Sequence, residues 1–164
     1  MMANYTIEEK EKFTVLAIGT ELKSDYKDHA GLVREKEEFW REITEDGRLE
    51  KLKTIAVNDY LFAINEAYDN KMMYYAGVIS EKSIPIPEVD RSIDFPEGEY
   101  VVVKGEERTF EELNNNLTNI TFGEVFSEAK EVEYIGGPNA VVVMGQRKGM
   151  LYGEMWIPVI RKHE

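Results

Sequence analysis

Apolar positions along the chain fall into short runs, and their spacing switches between that of strands and that of helices. Phe13-Thr14-Val15-Leu16-Ala17-Ile18-Gly19-Thr20 is rich in β-branched and aromatic residues and ends next to a glycine, which predicts a buried strand. A polar stretch follows to about Gly31. Leu32, Phe39, Trp40 and Ile43 then recur on one helical face, and Gly47 is a natural stop. Asp59–Ala67 and Met72–Ser80 predict two strands of a hairpin, joined by the turn chemistry of Tyr68-Asp69-Asn70-Lys71.

Pro85, Pro87 and Pro96 fall in the segment 83–96, which predicts a linker, because proline at that density continues neither a helix nor a ladder. The order then repeats. Glu99–Lys104 predicts a strand, and Thr109 with Glu112 forms a capping box. Phe110, Leu113, Leu117 and Ile120 make one helical stripe. Phe122, Val125, Phe126 and Ala129 make a second, past a bend at Gly123. Gly136-Gly137-Pro138 is a turn, and Ala140–Met144 with Leu151–Ile160 forms a second hairpin around Gln146–Gly149. The reading is an α+β fold of two βαββ units, about 11–80 and 97–162, related by a pseudo-two-fold axis. Tyr75-Ala76-Gly77-Val78 corresponds to Trp156-Ile157-Pro158-Val159. Three strands and one helix leave much apolar surface open, so the two copies are expected to share a core as a single domain. Their helices would border a central cleft in an antiparallel sheet, a natural place for a ligand.

Composition narrows the function classes. The 164 residues are 43% hydrophobic, enough for a core and too many for a disordered chain. No apolar run approaches membrane-spanning length, and MMANYTIEEKEKF lacks the apolar stretch of a secretory signal, so a cytoplasmic location is expected. The net charge of −12 repels nucleic acid and favours cationic ligands; the densest basic stretches, Arg147-Lys148 and Arg161-Lys162, are only pairs. The absence of cysteine removes disulfides, thiolate metal sites and a cysteine nucleophile. His29 and His163 have no ligand partners at metal-binding spacing, and no phosphate-cradling glycine pattern occurs. No metal or cofactor is expected.

Strand alternation places Tyr152, Glu154, Trp156 and Pro158 on one face of the last strand, and Leu151, Gly153, Met155, Ile157 and Val159 on the other. A carboxylate between two aromatics is either an edge residue facing water or a paired group in a pocket, because burying it alone is costly. Tyr75 is the counterpart of Trp156 and shares a face with Met73 and Gly77; the glycine either leaves room for something or marks a bulge. Trp40 and Phe39 point about 100° apart on the first helix, so at least one packs on the sheet. Nine tyrosines and seven methionines suit a mixed, adaptable lining as well as an ordinary core.

Several segments in order carry a family likeness: Glu11-Lys12-Phe13-Thr14-Val15, Phe39-Trp40, Tyr74-Tyr75-Ala76-Gly77-Val78, Pro96-Glu97-Gly98-Glu99-Tyr100, Gly137-Pro138 and, most specific, Gly153-Glu154-Met155-Trp156-Ile157-Pro158-Val159. With these the chain, from Tyr5 to Lys162, resembles the gyrase inhibitor-like (GyrI-like) effector-binding domain family, a fold also appended to AraC-type and MerR-type activators. The second helix departs from the family: it holds Asn114 to Asn116, Leu117 and Phe122 where a tryptophan is usual. The resemblance implies binding of small hydrophobic or cationic molecules in the central cleft. It implies Glu154 as the pocket carboxylate and Trp40, Tyr75 and Trp156 as pocket aromatics. Twelve residues before Phe13 leave no room for a helix-turn-helix, so a stand-alone small-molecule receptor is the expected function. The resemblance also implies an alternative, a hydrolase of small cyclopropane-type electrophiles, with Glu154 activating water and a tyrosine as acid. A third is an inhibitor acting on a protein through the acidic surface.

Overall fold

The computed structural model describes residues 4–81, 86–134 and 136–162. Its strands are β1 (Thr6–Lys10), β2 (Phe13–Glu21), β3 (Leu61–Tyr68), β4 (Lys71–Ile79), β5 (Arg91–Phe95), β6 (Gly98–Glu107), β7 (Val132–Tyr134), β8 (Asn139–Arg147) and β9 (Met150–Arg161). The helices are α1 (His29–Glu45), α2 (Arg48–Lys53), α3 (Phe110–Ile120) and a short α4 (Phe126–Glu128), the last two joined by a π-helical turn over Thr121–Val125.

Local chemistry explains the element ends. The Asp28 carboxylate caps α1 by accepting from the Gly31 N–H. Gly47 takes φ +86° between α1 and α2, a left-handed conformation that favours glycine. The Thr109 hydroxyl accepts from the Glu112 N–H at 3.1 Å, the cap expected from the sequence. Both hairpins turn through paired left-handed residues, Asp69-Asn70 and Lys148-Gly149, which match the twist of the flanking strands. The predicted bend at Gly123 is the π-helical turn, where Thr118 and Thr121 hydroxyls donate back to the carbonyls of Asn114 and Leu117.

The antiparallel strands form one sheet in the order β1-β6-β9-β8-β3-β4-β2-β5, with β7 added beside β9. The two hairpins meet at β3 and β8, and the order reads symmetrically outward from that seam: β3-β4-β2 on one side, β8-β9-β6 on the other. This is the duplicated βαββ arrangement. The outer strands are exchanged between halves: β1, which leads into β2, pairs with β6, and β5, which leads into β6, pairs with β2. The segment 83–96 is therefore not only a linker. Its 82–85 portion, with Pro85, lies outside the described residues, but Arg91–Phe95 is an edge strand whose Ile93 and Phe95 are buried.

The sheet is strongly curled. Four strands separate β2 from β6, a span of about 24 Å in a flat sheet. Yet the Phe13 ring of β2 lies 6.4 Å from Tyr100 of β6 and 5.8 Å from Trp156 of β9. Side chains on the concave face, among them Phe62, Tyr75, Phe95, Tyr100, Val142 and Trp156, thus form a core of their own. The opposite parity of the same strands, including Tyr74, Ala76, Val141, Met155 and Ile157, packs under α1, α2 and α3. Among the described residues no helix is long and apolar enough to cross a membrane.

Candidate functional site

Two helices of equivalent position, α1 and α3, meet over the outer face of the sheet, and their contact is aromatic. The Trp40 ring of α1 lies 4.6 Å from Phe110 of α3, and Phe39 and Tyr74 pack edge-on to Trp40. The Trp40 indole N–H donates to the Tyr74 hydroxyl at 2.7 Å, and the Asn114 amide of α3 donates to the same oxygen at 3.0 Å. Tyr74 is fully buried, and burial raises its pKa above the ordinary tyrosine value. One hydroxyl on β4 thereby ties both helices to the sheet.

The Trp40–Phe110 contact divides the space between the helices. On one side is a small recess of about 10 Å³, room for a single water, bounded by Tyr74, Lys36 and Asn114. On the other is an open groove of about 410 Å³. Trp40, Leu49, Leu61 and Phe110 give it an apolar floor; Glu37, Glu45 and Glu111 stand on its rim, with Arg41 as the single cation among the described residues that line it. None of these three carboxylates is ion-paired with another described residue. The groove can take an apolar body and offers negative charge to it.

The structure separates the residues expected to form one cleft. Trp40 lines the groove beneath the helices. Glu154, Trp156 and Tyr75 lie on the concave face, across the sheet from it. Glu154 and Trp156 do come together: the indole N–H donates to the carboxylate at 2.8 Å. The Lys10 ammonium of β1 sits 3.9 Å from the centre of the Trp156 ring. The Tyr75 hydroxyl bonds Glu66, not Glu154, at 3.2 Å, and Arg91 holds Glu66 in a two-pronged fork at 2.8 and 2.9 Å. Burial first, and the Glu66 carboxylate second, push the Tyr75 pKa up to about 12. The room left by Gly77 is taken by a neighbouring strand, since a Cβ there would lie 2.3 Å from the Val15 side chain.

Tyr74, Lys36 and Asn114 were not singled out from the sequence as site residues. The signal that finds Tyr74 is parity. Met155, Ile157 and Val159 form the unbroken apolar face of β9, the side on which an amphipathic helix packs, and their counterpart in β4 is Tyr74-Ala76-Val78. A helical tryptophan such as Trp40 therefore meets Tyr74 and not Tyr75.

Solved structures share the fold. SAV2435 bound to tetraphenylphosphonium superposes with a TM-score of 0.78 at 15% identity, over 96% of this chain and 94% of that one. The integron cassette protein VCH_CASS2 from the mobile metagenome of Vibrio cholerae gives 0.62 at 13% identity, over 95% of each chain. The EcmrR C-terminal domain gives 0.60 at 11% identity, over 99% of this chain and 100% of that one. No curated protein matches the chain in sequence. The family model of integron-associated effector binding proteins (Cass2) matches residues 6–159, nearly the whole chain. The chain belongs to that family of effector-binding proteins, and its likeness to GyrI-like domains holds.

Proposed function

We propose that this protein is a receptor for small hydrophobic cations, and that the groove between α1 and α3 takes them. The observation that carries this reading is an apolar floor of Trp40, Leu49, Leu61 and Phe110 under three carboxylates with no ion-pair partner among the described residues. An organic cation with aromatic substituents buries its rings on the floor and keeps its charge near the rim. Ring faces attract cations by about 0.5–2 kcal/mol each, more when water is excluded. The similarly folded SAV2435 binds tetraphenylphosphonium, which has this chemistry. Trp40, one of two tryptophans, lines the groove and supplies the probe.

In a Trp156→Phe background, tetraphenylphosphonium should quench the remaining Trp40 emission saturably. Glu37→Gln with Glu111→Gln should weaken binding by about tenfold, on the scale of a charged contact. Unchanged emission at saturating cation, with the fold intact, would remove the groove as the site.

A second reading places the cation at Trp156 on the concave face, beside Glu154. Lys10 favours it, because a cation already occupies that ring face.

A further inference from the structure

Lys36 lies four residues before Trp40, so both side chains project from the same face of α1. Its ammonium is 5.0 Å from the centre of the Tyr74 ring, within reach of a cation–π contact. It lines the small recess together with Glu37 and Glu111, yet it forms no ion pair with any described carboxylate. A lysine with a four-carbon stem normally carries its charge out to water. Here the charge turns inward, to the face of a buried tyrosine, and burial lowers its pKa. The recess shares Glu37, Trp40, Phe110 and Glu111 with the open groove, and the Trp40–Phe110 ring contact lies on the boundary between the two.

We infer that the face of Tyr74 is the inner cation subsite of the groove, and that Lys36 fills it in the empty protein as a built-in competitor. This rests on the groove reading above. A bound organic cation parts Trp40 from Phe110, takes the Tyr74 face, and sends the Lys36 ammonium back to solvent, where it regains its hydration. One positive charge replaces another, so the electrostatics of the recess are preserved. A neutral molecule of the same shape displaces the ammonium without replacing its charge and is disfavoured. Lys36 thus sets both a threshold affinity and a preference for cations. By the arithmetic of a binding-competent state that is only partly populated, removing the competitor should tighten binding by about three- to tenfold.

The test joins affinity with accessibility. Tetraphenylphosphonium is titrated into the Trp156→Phe protein and into the same protein carrying Lys36→Met, followed by Trp40 emission. In parallel, acetylation of Lys36 by a water-soluble amine reagent is read by mass spectrometry with and without the cation. The expected result is tighter binding by Lys36→Met and a several-fold rise in Lys36 acetylation when the cation is bound. Removal of a nearby positive charge could tighten binding through space, but it would not expose the lysine. Acetylation that stays level or falls while Trp40 is quenched overturns the competitor and leaves the groove standing. Absence of quenching in both proteins overturns the groove and the competitor together.

Discussion

The Trp40 indole N–H donates to the Tyr74 hydroxyl at 2.7 Å, a contact inside the first half of the duplicated fold whose oxygen also receives the second half. Trp40 belongs to the first helix and Tyr74 to the first hairpin. Asn114 of the second half completes the set by donating to the same oxygen. The recess beside the groove therefore has walls fixed by hydrogen bonds of defined direction, while the ring contact between Trp40 and Phe110 stands between it and the open groove.

Tyr74→Phe removes an acceptor that satisfies two donors, one of them on buried Asn114. Leaving buried donors unsatisfied costs about 1–3 kcal/mol for each. Trp40 is partly exposed and can turn to water, so the expected loss is about 2–3 kcal/mol in urea unfolding. A double-mutant cycle with Asn114→Leu should show coupling, because the two changes share one oxygen. Additive losses would mean that the hydroxyl does not bridge the helices.

Arg91→Ala should be more damaging than its place in a proline-rich segment suggests. Its guanidinium forks onto Glu66, whose side chain is only 10% exposed, and Glu66 also accepts from Tyr75. Removing Arg91 leaves a nearly buried carboxylate with one hydroxyl as partner, a change worth about 3 kcal/mol. Arg91→Lys should recover only part of it, since an ammonium cannot reproduce the planar fork. Equal stability of Arg91→Ala and the parent by thermal unfolding would show the pair to be solvated.

The architecture was largely legible from the chain, and the partition of the site was not. The two hairpins, both long helices, the Thr109 cap and the bend at Gly123 follow from periodicity and turn chemistry, because each depends on neighbouring residues. β1 and β5 escaped because edge strands are short and charged: TIEEK and RSIDF offer one or two inward apolar side chains each. Glu154 with Trp156 was legible for a similar reason, two residues apart on one strand face. The separation of Trp40 from Tyr75 is set by which face of a curled sheet the helices cover. That is a long-range property, and residue spacing alone does not fix it.

Alkaline stability should report the buried hydroxyls. Tyr74, Tyr75 and Tyr100 all have pKa values raised by burial, Tyr75 to about 12. In the unfolded chain these phenols lose their protons near pH 10. Between that pH and the folded values the native state holds more protons than the unfolded state, so stability falls as pH rises. It should be undiminished by these groups below pH 10 and decline steeply from about pH 10 to 12. Phenolate absorbance of these three should appear together with loss of near-ultraviolet circular dichroism. Ionisation of all nine tyrosines near pH 10 with the fold intact would contradict this burial.

Glu154 provides the last test, because it separates the two faces of the sheet. Its carboxylate accepts from Trp156 and lies across the sheet from the groove. Glu154→Gln keeps the shape and an acceptor oxygen but removes the charge. If cations bind between α1 and α3, tetraphenylphosphonium affinity should change far less than in a rim variant, since the Glu154 carboxylate lies across the sheet and does not line the groove. Glu111→Gln, on the rim, should weaken binding several-fold under the same conditions. If instead the ligand displaces Lys10 from the Trp156 ring, the order reverses: Glu154→Gln should cost about tenfold, Lys10→Met should tighten binding, and the rim variant should be silent. Single-tryptophan proteins make the assignment direct. Quenching confined to Trp40 places the cation under the helices, and quenching confined to Trp156 places it on the concave face.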